Sequence, residues 1–154
     1  VCSGIKSVLD IGRTIEYLET VGVPLIGYRT GMLPAFYARE SEYPVDYRLE
    51  EAVEIAKTLD AKLNANIDGA MLVTNPVPEE YAFESSRINS IIEEAITAMN
   101  AEGISGKETT PFLLARIADE TGGRSLEANI ELVKSNASLA ADVAVQYSQL
   151  VKEN

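Results

Sequence analysis

The chain has no histidine, no tryptophan and a single cysteine among its 154 residues. Without histidine, the common zinc and haem constellations cannot be assembled from this chain alone, and histidine-dependent catalytic triads go with them. Cys2 cannot close an intrachain disulfide, and it reads as packing at a strand end. Basic residues are the minority: 13 Lys and Arg against 24 Asp and Glu leave a net charge of −11. That charge repels a phosphate backbone or an anionic bilayer, so no nucleic-acid partner and no membrane partner is expected. No apolar run approaches the roughly 20 residues a bilayer span requires. The chain opens on VCSGIKSVLDIG, without a basic, signal-type apolar stretch, and a soluble, cytoplasmic protein is the expectation. Aromatics are scarce at 6%, so a core of Ile, Leu, Val and Ala must carry the 46% apolar fraction. The length suits one core.

Val1 and Cys2 read as the tail of a strand whose beginning is missing, so a preceding partner segment is expected. Over Ser7 to Thr20, the apolar residues Val8, Leu9, Ile11, Ile15 and Leu18 fall near a 3.6-residue stripe, with Gly22 just beyond, which predicts a helix. Val23 to Tyr28 fits a buried strand, giving a strand, helix and strand unit. Arg29 to Tyr47 carries the densest aromatics with Gly31, Pro34 and Pro44 and reads as an irregular loop, one able to close a site or support an oligomer. Helical spacing returns from Arg48 to about Leu63. Asp68 to Asn75 predicts a second strand, halted by Pro76-Val77-Pro78. Ser86 to Ala101 and the short segment from Phe112 to Gly123 are further helices, the latter opened by a cap-like Thr109 or Thr110 before Pro111. The final helix starts at Ser125 and runs for about 25 residues if Asn129 and Asn136 face a site or solvent, with a break near Asn136 as the alternative. The fold class expected is α/β: an open, largely parallel sheet flanked by helices (α/β/α).

Lys6 is the leading candidate for chemistry. It lies between a strand end and a helix start, where open α/β sheets place ligand-binding groups. A lysine there holds a phosphate as a cation, or attacks a carbonyl when desolvation or a neighbouring positive charge strips its proton. The plain alternative is an exposed surface cation. Ser3, Gly4 and Ser7 offer donors around an anion without forming a phosphate-loop fingerprint. Thr74 and Asn75 either point into the same crevice or cap the turn. Glu79 and Glu80 are adjacent and form no acid/base pair. Gly106-Lys107-Glu108-Thr109 fails as a phosphate loop because Glu108 stands where Ser or Thr is required. Thr109 and Thr110 either cap their helix or bind an anion. Asn129 interrupts an apolar helical rhythm, where an inward amide binds substrate or is satisfied within the core. Asn136-Ala137-Ser138 matches the glycosylation pattern, with no secretory segment to support its use.

Three segments, VCSGIKSVLDIGRTIEYLETVGVPLIGYRT, MLVTNPVPEEY and GKETTPFLLARIADETGGRSLEANIELVKSNA, closely resemble the pseudouridine-5′-phosphate glycosidase family, also described as indigoidine synthase A-like. The resemblance covers nearly the whole chain and roughly the C-terminal half of that enzyme, so residues 1–154 are expected to be the C-terminal portion of a larger domain. It implies an enzyme that reversibly cleaves the carbon–carbon glycosidic bond of pseudouridine 5′-phosphate to uracil and ribose 5-phosphate. Lys6 in CSGIKS aligns with the lysine that attacks ribose C1′ and forms an imine (Schiff base). Asn129 in SLEANI aligns with a substrate-contacting asparagine. The family's catalytic glutamate, second lysine, phosphate ligands and manganese-associated aspartate belong to its N-terminal half. The implied partners are therefore a complementing N-terminal half and a trimeric assembly, with Mn2+ as cofactor bound outside this chain. The alternatives are a noncatalytic assembly or regulatory domain of the same fold, or another imine-forming sugar-phosphate lyase.

Overall fold

A computed structural model describes residues 1–6 and 9–153. Its elements are α1 (Ile11–Thr20), β1 (Leu25–Tyr28), β2 (Tyr47–Leu49), α2 (Ala52–Asn64), β3 (Leu72–Thr74), α3 (Ser85–Ala101), α4 (Thr109–Glu120) and α5 (Arg124–Glu153). Single 3-10 turns, Glu79–Tyr81 and Gly106–Glu108, precede α3 and α4. The three strands form a parallel sheet in the order β2-β1-β3. Cys2 extends it by one position, as its N–H donates to the Val73 carbonyl and its carbonyl accepts from the Asn75 N–H. The first strand, helix and strand therefore do not end side by side: β3 lies between Cys2 and β1. The crossovers through α1 and α2 run in opposite directions across the sheet.

Two apolar cores meet along α5. Ile26 of β1 and Val73 of β3 pack with Ile55 and Ala56 of α2 and with Leu139 and Val143 of α5. Ile88, Ile92 and Ala95 of α3, Leu113 and Ile117 of α4, and Ala128 and Leu132 of α5 enclose Tyr37 and Phe83 in the second. α5 is 30 residues long and unbroken, so its first half clamps the helical core and its second half lies on the sheet. No described helix is long and apolar enough to cross a membrane. Ile117 is fully buried at the centre of the helical core; Ile117→Ala is expected to destabilise the protein by about 2–5 kcal/mol, read as a lower urea midpoint with an unchanged slope.

Four boundaries differ from the sequence-based expectations for identifiable reasons. The first helix begins at Ile11, because the Asp10 carboxylate accepts from the Arg13 N–H and caps it there, leaving Leu9 exposed; the Ser7 and Val8 start lies outside the described residues. Tyr47 and Arg48, expected in a loop and a helix, instead pair with Ile26 and Gly27 in β2. α2 then starts at Ala52, after a reciprocal capping box between Glu51 and Glu54. Thr109 and Thr110 are inside the first turn of α4 and do not cap it, and Glu108 stands at the cap without a side-chain bond.

Candidate functional site

The carboxyl end of β3 and the chain from Cys2 to Lys6 leave the sheet together, at the edge where open α/β folds place ligands. Gly4 crosses beneath residues 34–36: Ile5 N–H donates to the Pro34 carbonyl at 3.3 Å and Phe36 N–H to the Ser3 carbonyl at 3.1 Å. Gly4 has φ +79°, and a Cβ there would lie 1.8 Å from the Pro34 carbonyl oxygen. This crossing turns the chain so that Lys6 reaches a cleft of about 370 Å³, which it lines with Ser3, Phe36, Asn129, Leu132 and Asn136. Lys6 is exposed on the open side. It also borders a narrow apolar crevice with Phe36, Tyr37, Thr110 and Leu113. The structure thus brings Lys6 and Asn129 to one cleft, though residues 1–6 and α5 are more than a hundred positions apart in the chain.

A hydrogen-bond chain lies under this cleft. Asn136 Nδ2 donates to Ser3 Oγ at 3.0 Å, while Asn75 Nδ2 donates to Asn136 Oδ1 at 3.2 Å and to Ser135 Oγ at 2.9 Å. Ser3 and Asn75 are buried, so these bonds satisfy groups that water does not reach. Asn75 is therefore neither a simple turn cap nor a wall of the Lys6 cleft. Thr74 is fully buried and its hydroxyl donates to the Ile26 carbonyl at 3.0 Å, which ties β3 to β1 and removes it from the candidate ligand groups. Asn136 sits mid-helix with its amide engaged on both sides, an arrangement closed to glycosylation. Burial pushes the Cys2 thiol above its ordinary range, against a backbone hydrogen bond at Gly4 that pulls it down. A thiol so raised stays protonated and serves packing. Ser7, the other proposed donor beside Lys6, lies outside the described residues.

Phe36 was not singled out from sequence. Its φ of +64° is uncommon for a side chain of its size,. Its ring meets Tyr37 edge-on at 4.8 Å. The spacing that recovers the pairing of Asn129 with Asn136 is two helical turns, i and i+7. Glu79, Glu80 and Lys107 are exposed and outside the cleft. Two larger depressions, about 640 and 650 Å³, contain neither Lys6 nor Asn129; chemistry rather than size selects the smaller one.

Fold and cleft define an open parallel α/β domain with a lysine and an asparagine converging at the carboxyl edge of its sheet. The family described as indigoidine synthase A like protein matches residues 1–146, and the chain belongs to that family. It is 54% identical over 153 residues to a pseudouridine-5′-phosphate glycosidase of Caldanaerobacter subterraneus, covering 99% of this chain and 50% of that protein. Against the pseudouridine-5′-phosphate glycosidase of Escherichia coli it is 51% identical over 150 residues, 97% of this chain and 48% of the relative. The chain thus spans about half the length of the curated relatives it matches. Among solved structures, it resembles the prealnumycin C-glycosynthase AlnA in complex with ribulose 5-phosphate, with a TM-score of 0.88 and 36% identity over 99% of this chain and 50% of that one. An indigoidine synthase A-like protein from Thermotoga maritima gives a TM-score of 0.82 at 38% identity, over 94% and 47%.

Proposed function

We propose that this chain is the C-terminal part of a pseudouridine-5′-phosphate glycosidase that reversibly cleaves the C–C glycosidic bond to give uracil and ribose 5-phosphate. The observation that carries this reading is the convergence of Lys6 and Asn129 on one cleft. Identities of 51–54% to several glycosidases support it. The Lys6 amine adds to C1′ as the C1′–O4′ bond breaks and O4′ takes up a proton, leaving an open-chain amine that still carries uracil. The nitrogen lone pair then forms the C1′=N imine as the bond to uracil breaks. The electron pair leaves on the uracil carbon, which takes up a proton, and water then releases ribose 5-phosphate from the lysine. Covalent attachment divides a difficult cleavage into two easier stages. Asn129, half-buried on α5, orients the base through its amide, which offers both donor and acceptor.

The proton donor for uracil and the phosphate ligands are assigned to a complementing N-terminal half, and the working unit to a trimer. No group of three or more Cys, Asp or Glu side chains able to hold a metal occurs among the described residues. These residues therefore do not by themselves fit the manganese expected of the complete enzyme, which we assign to that same half.

The test is to incubate the complete assembly with ribose 5-phosphate and borohydride, then map the added mass, while following uracil release from pseudouridine 5′-phosphate. A sugar-phosphate adduct on the peptide containing Lys6, with uracil release, is expected; adducts exclusively on other peptides would sink the assignment. Likeness to a C-glycosynthase favours a second reading, an imine former that joins the sugar phosphate to another acceptor; it predicts the Lys6 adduct without uracil release. Binding of a partner with neither adduct nor turnover would instead mark a noncatalytic domain. Asn129→Ala is expected to lower kcat/KM for pseudouridine 5′-phosphate about 10- to 100-fold, the penalty for an unpaired polar group on the base. Trapping of ribose 5-phosphate on Lys6, which needs no base, should stay near the wild-type level.

A further inference from the structure

We propose that Asn136 is the positioning residue for Lys6, holding the lysine-bearing segment to α5 and to the end of β3 through Ser3 and Asn75. For its chemistry the inference rests on the glycosidase reading above. Beyond the bonds of Cys2 to Val73 and Asn75, the backbone from Ser3 to Lys6 is tied to residues 34–36, and no backbone hydrogen bond among the described residues joins it to α5. The side-chain link that does so is Asn136 Nδ2 to Ser3 Oγ at 3.0 Å, spanning 133 positions of sequence. The same amide is held from its other side by Asn75 Nδ2 at 3.2 Å, and Asn75 is held in turn by Ser135 Oγ at 2.9 Å.

Asn136 therefore joins three pieces of backbone: the edge leading to Lys6, the carboxyl end of β3, which Asn75 also ties to α5 through Ser135, and the helix bearing Asn129. Asn129 lies two turns up α5 from Asn136, about 10 Å along the helix axis, and both line the cleft. The Ser3 to Asn136 bond thus sets the separation between nucleophile and base-orienting amide. Ser3 and Asn75 are buried and Asn136 is half-buried, so water competes little for these bonds and their geometry is held tightly. A displacement of about 1 Å at a reacting atom is enough to cost 10²-fold in rate.

Aspartate provides the discriminating variant. With Asn136→Asp, the Ser3 hydroxyl turns to donate and Asn75 Nδ2 already donates, so both links survive. Asn136→Ala removes both. In the complete assembly, Asn136→Ala is expected to slow borohydride trapping of ribose 5-phosphate on Lys6 about 10- to 100-fold with its KM changed less than about 3-fold, while Asn136→Asp stays within about 5-fold of wild type. Ser3→Ala should slow trapping in the same direction, and the double Ser3→Ala, Asn136→Ala should be no slower than the worse single variant, since both break one link. Wild-type trapping in Asn136→Ala, losses that multiply in the double variant, or a change in KM alone would overturn the proposal. Amide exchange at Ile5 and Phe36 reads the anchoring without chemistry, and both should exchange faster in Asn136→Ala. If wild-type protein gives no Lys6 adduct, the glycosidase reading fails; unchanged exchange at Ile5 and Phe36 would then overturn the anchoring separately.

Discussion

Replacing Lys6 with arginine is expected to leave the complete assembly folded, still cationic at this position, and inactive by about 10⁴-fold or more in kcat, the scale on which a lost covalent nucleophile acts. Lys6 is exposed, and its side chain makes no hydrogen bond or ion pair with the described residues, so the packing asks little of it. Its carbonyl accepts from the Leu9 N–H at 2.9 Å, and arginine keeps that backbone bond. Arginine also keeps the long apolar stem along the crevice with Phe36 and Leu113. What it cannot supply is a neutral amine, because a guanidinium does not lose its proton in proteins. The substitution separates the two roles open to a lysine at the carboxyl edge of a sheet. A cation that only holds phosphate tolerates arginine, with activity within a few-fold; a nucleophile does not. Uracil release and borohydride trapping measured together should both vanish while the urea midpoint stays put. Retained turnover in Lys6→Arg would move the nucleophile elsewhere and leave Lys6 a phosphate contact.

The parts of the fold that the sequence made legible are those set by local periodicity. α3 follows the spacing of Ile88, Ile92 and Ala95, and β1 sits within the apolar run ending at Tyr28. The α/β class with an all-parallel sheet follows from such units. β2 was illegible because its three residues are exposed or half-buried. Only the backbone bonds to β1, and the Asp46 carboxylate accepting from the Leu25 N–H at 2.7 Å, make Tyr47 to Leu49 a strand. The continuity of α5 through Asn136 was equally hidden, since an asparagine in mid-helix is an ordinary break signal until its amide is seen to be engaged by Ser3 and Asn75. Lys6 stood out by its place between a strand end and a helix start and Asn129 by interrupting an apolar helical rhythm, the family resemblance suggested their roles, and their meeting at one cleft belongs to the tertiary structure. Neither the positive φ of Phe36 nor the burial of Ser3 leaves a mark in a single sequence.

Gly4→Ala is expected to be the most damaging single-methyl change in the site, lowering stability by about 3 kcal/mol or more and displacing Lys6 with it. Two separable costs meet at this residue. The φ of +79° disfavours any side chain, a penalty of about 1 kcal/mol for alanine. The second is contact: the new Cβ would stand 1.8 Å from the Pro34 carbonyl oxygen and 2.6 Å from its carbon. No rotamer relieves that overlap, because both partners are backbone. The two segments must part, breaking Ile5 N–H to Pro34 O and Phe36 N–H to Ser3 O. Gly22 supplies the control. It has a similar φ of +70° at the end of α1, yet its Cβ would meet nothing within 4 Å. Gly22→Ala should therefore show the conformational penalty alone, about 1 kcal/mol, with Lys6 trapping unchanged. Urea unfolding of the two variants, compared at equal slope, isolates the contact term as their difference, expected at about 2 kcal/mol or more. If segment separation relieves the clash without unfolding, the midpoint difference narrows but Lys6 trapping collapses in Gly4→Ala alone. Equal midpoints together with equal trapping would show that the crossing of residues 3–6 beneath residues 34–36 does not hold Lys6 in place.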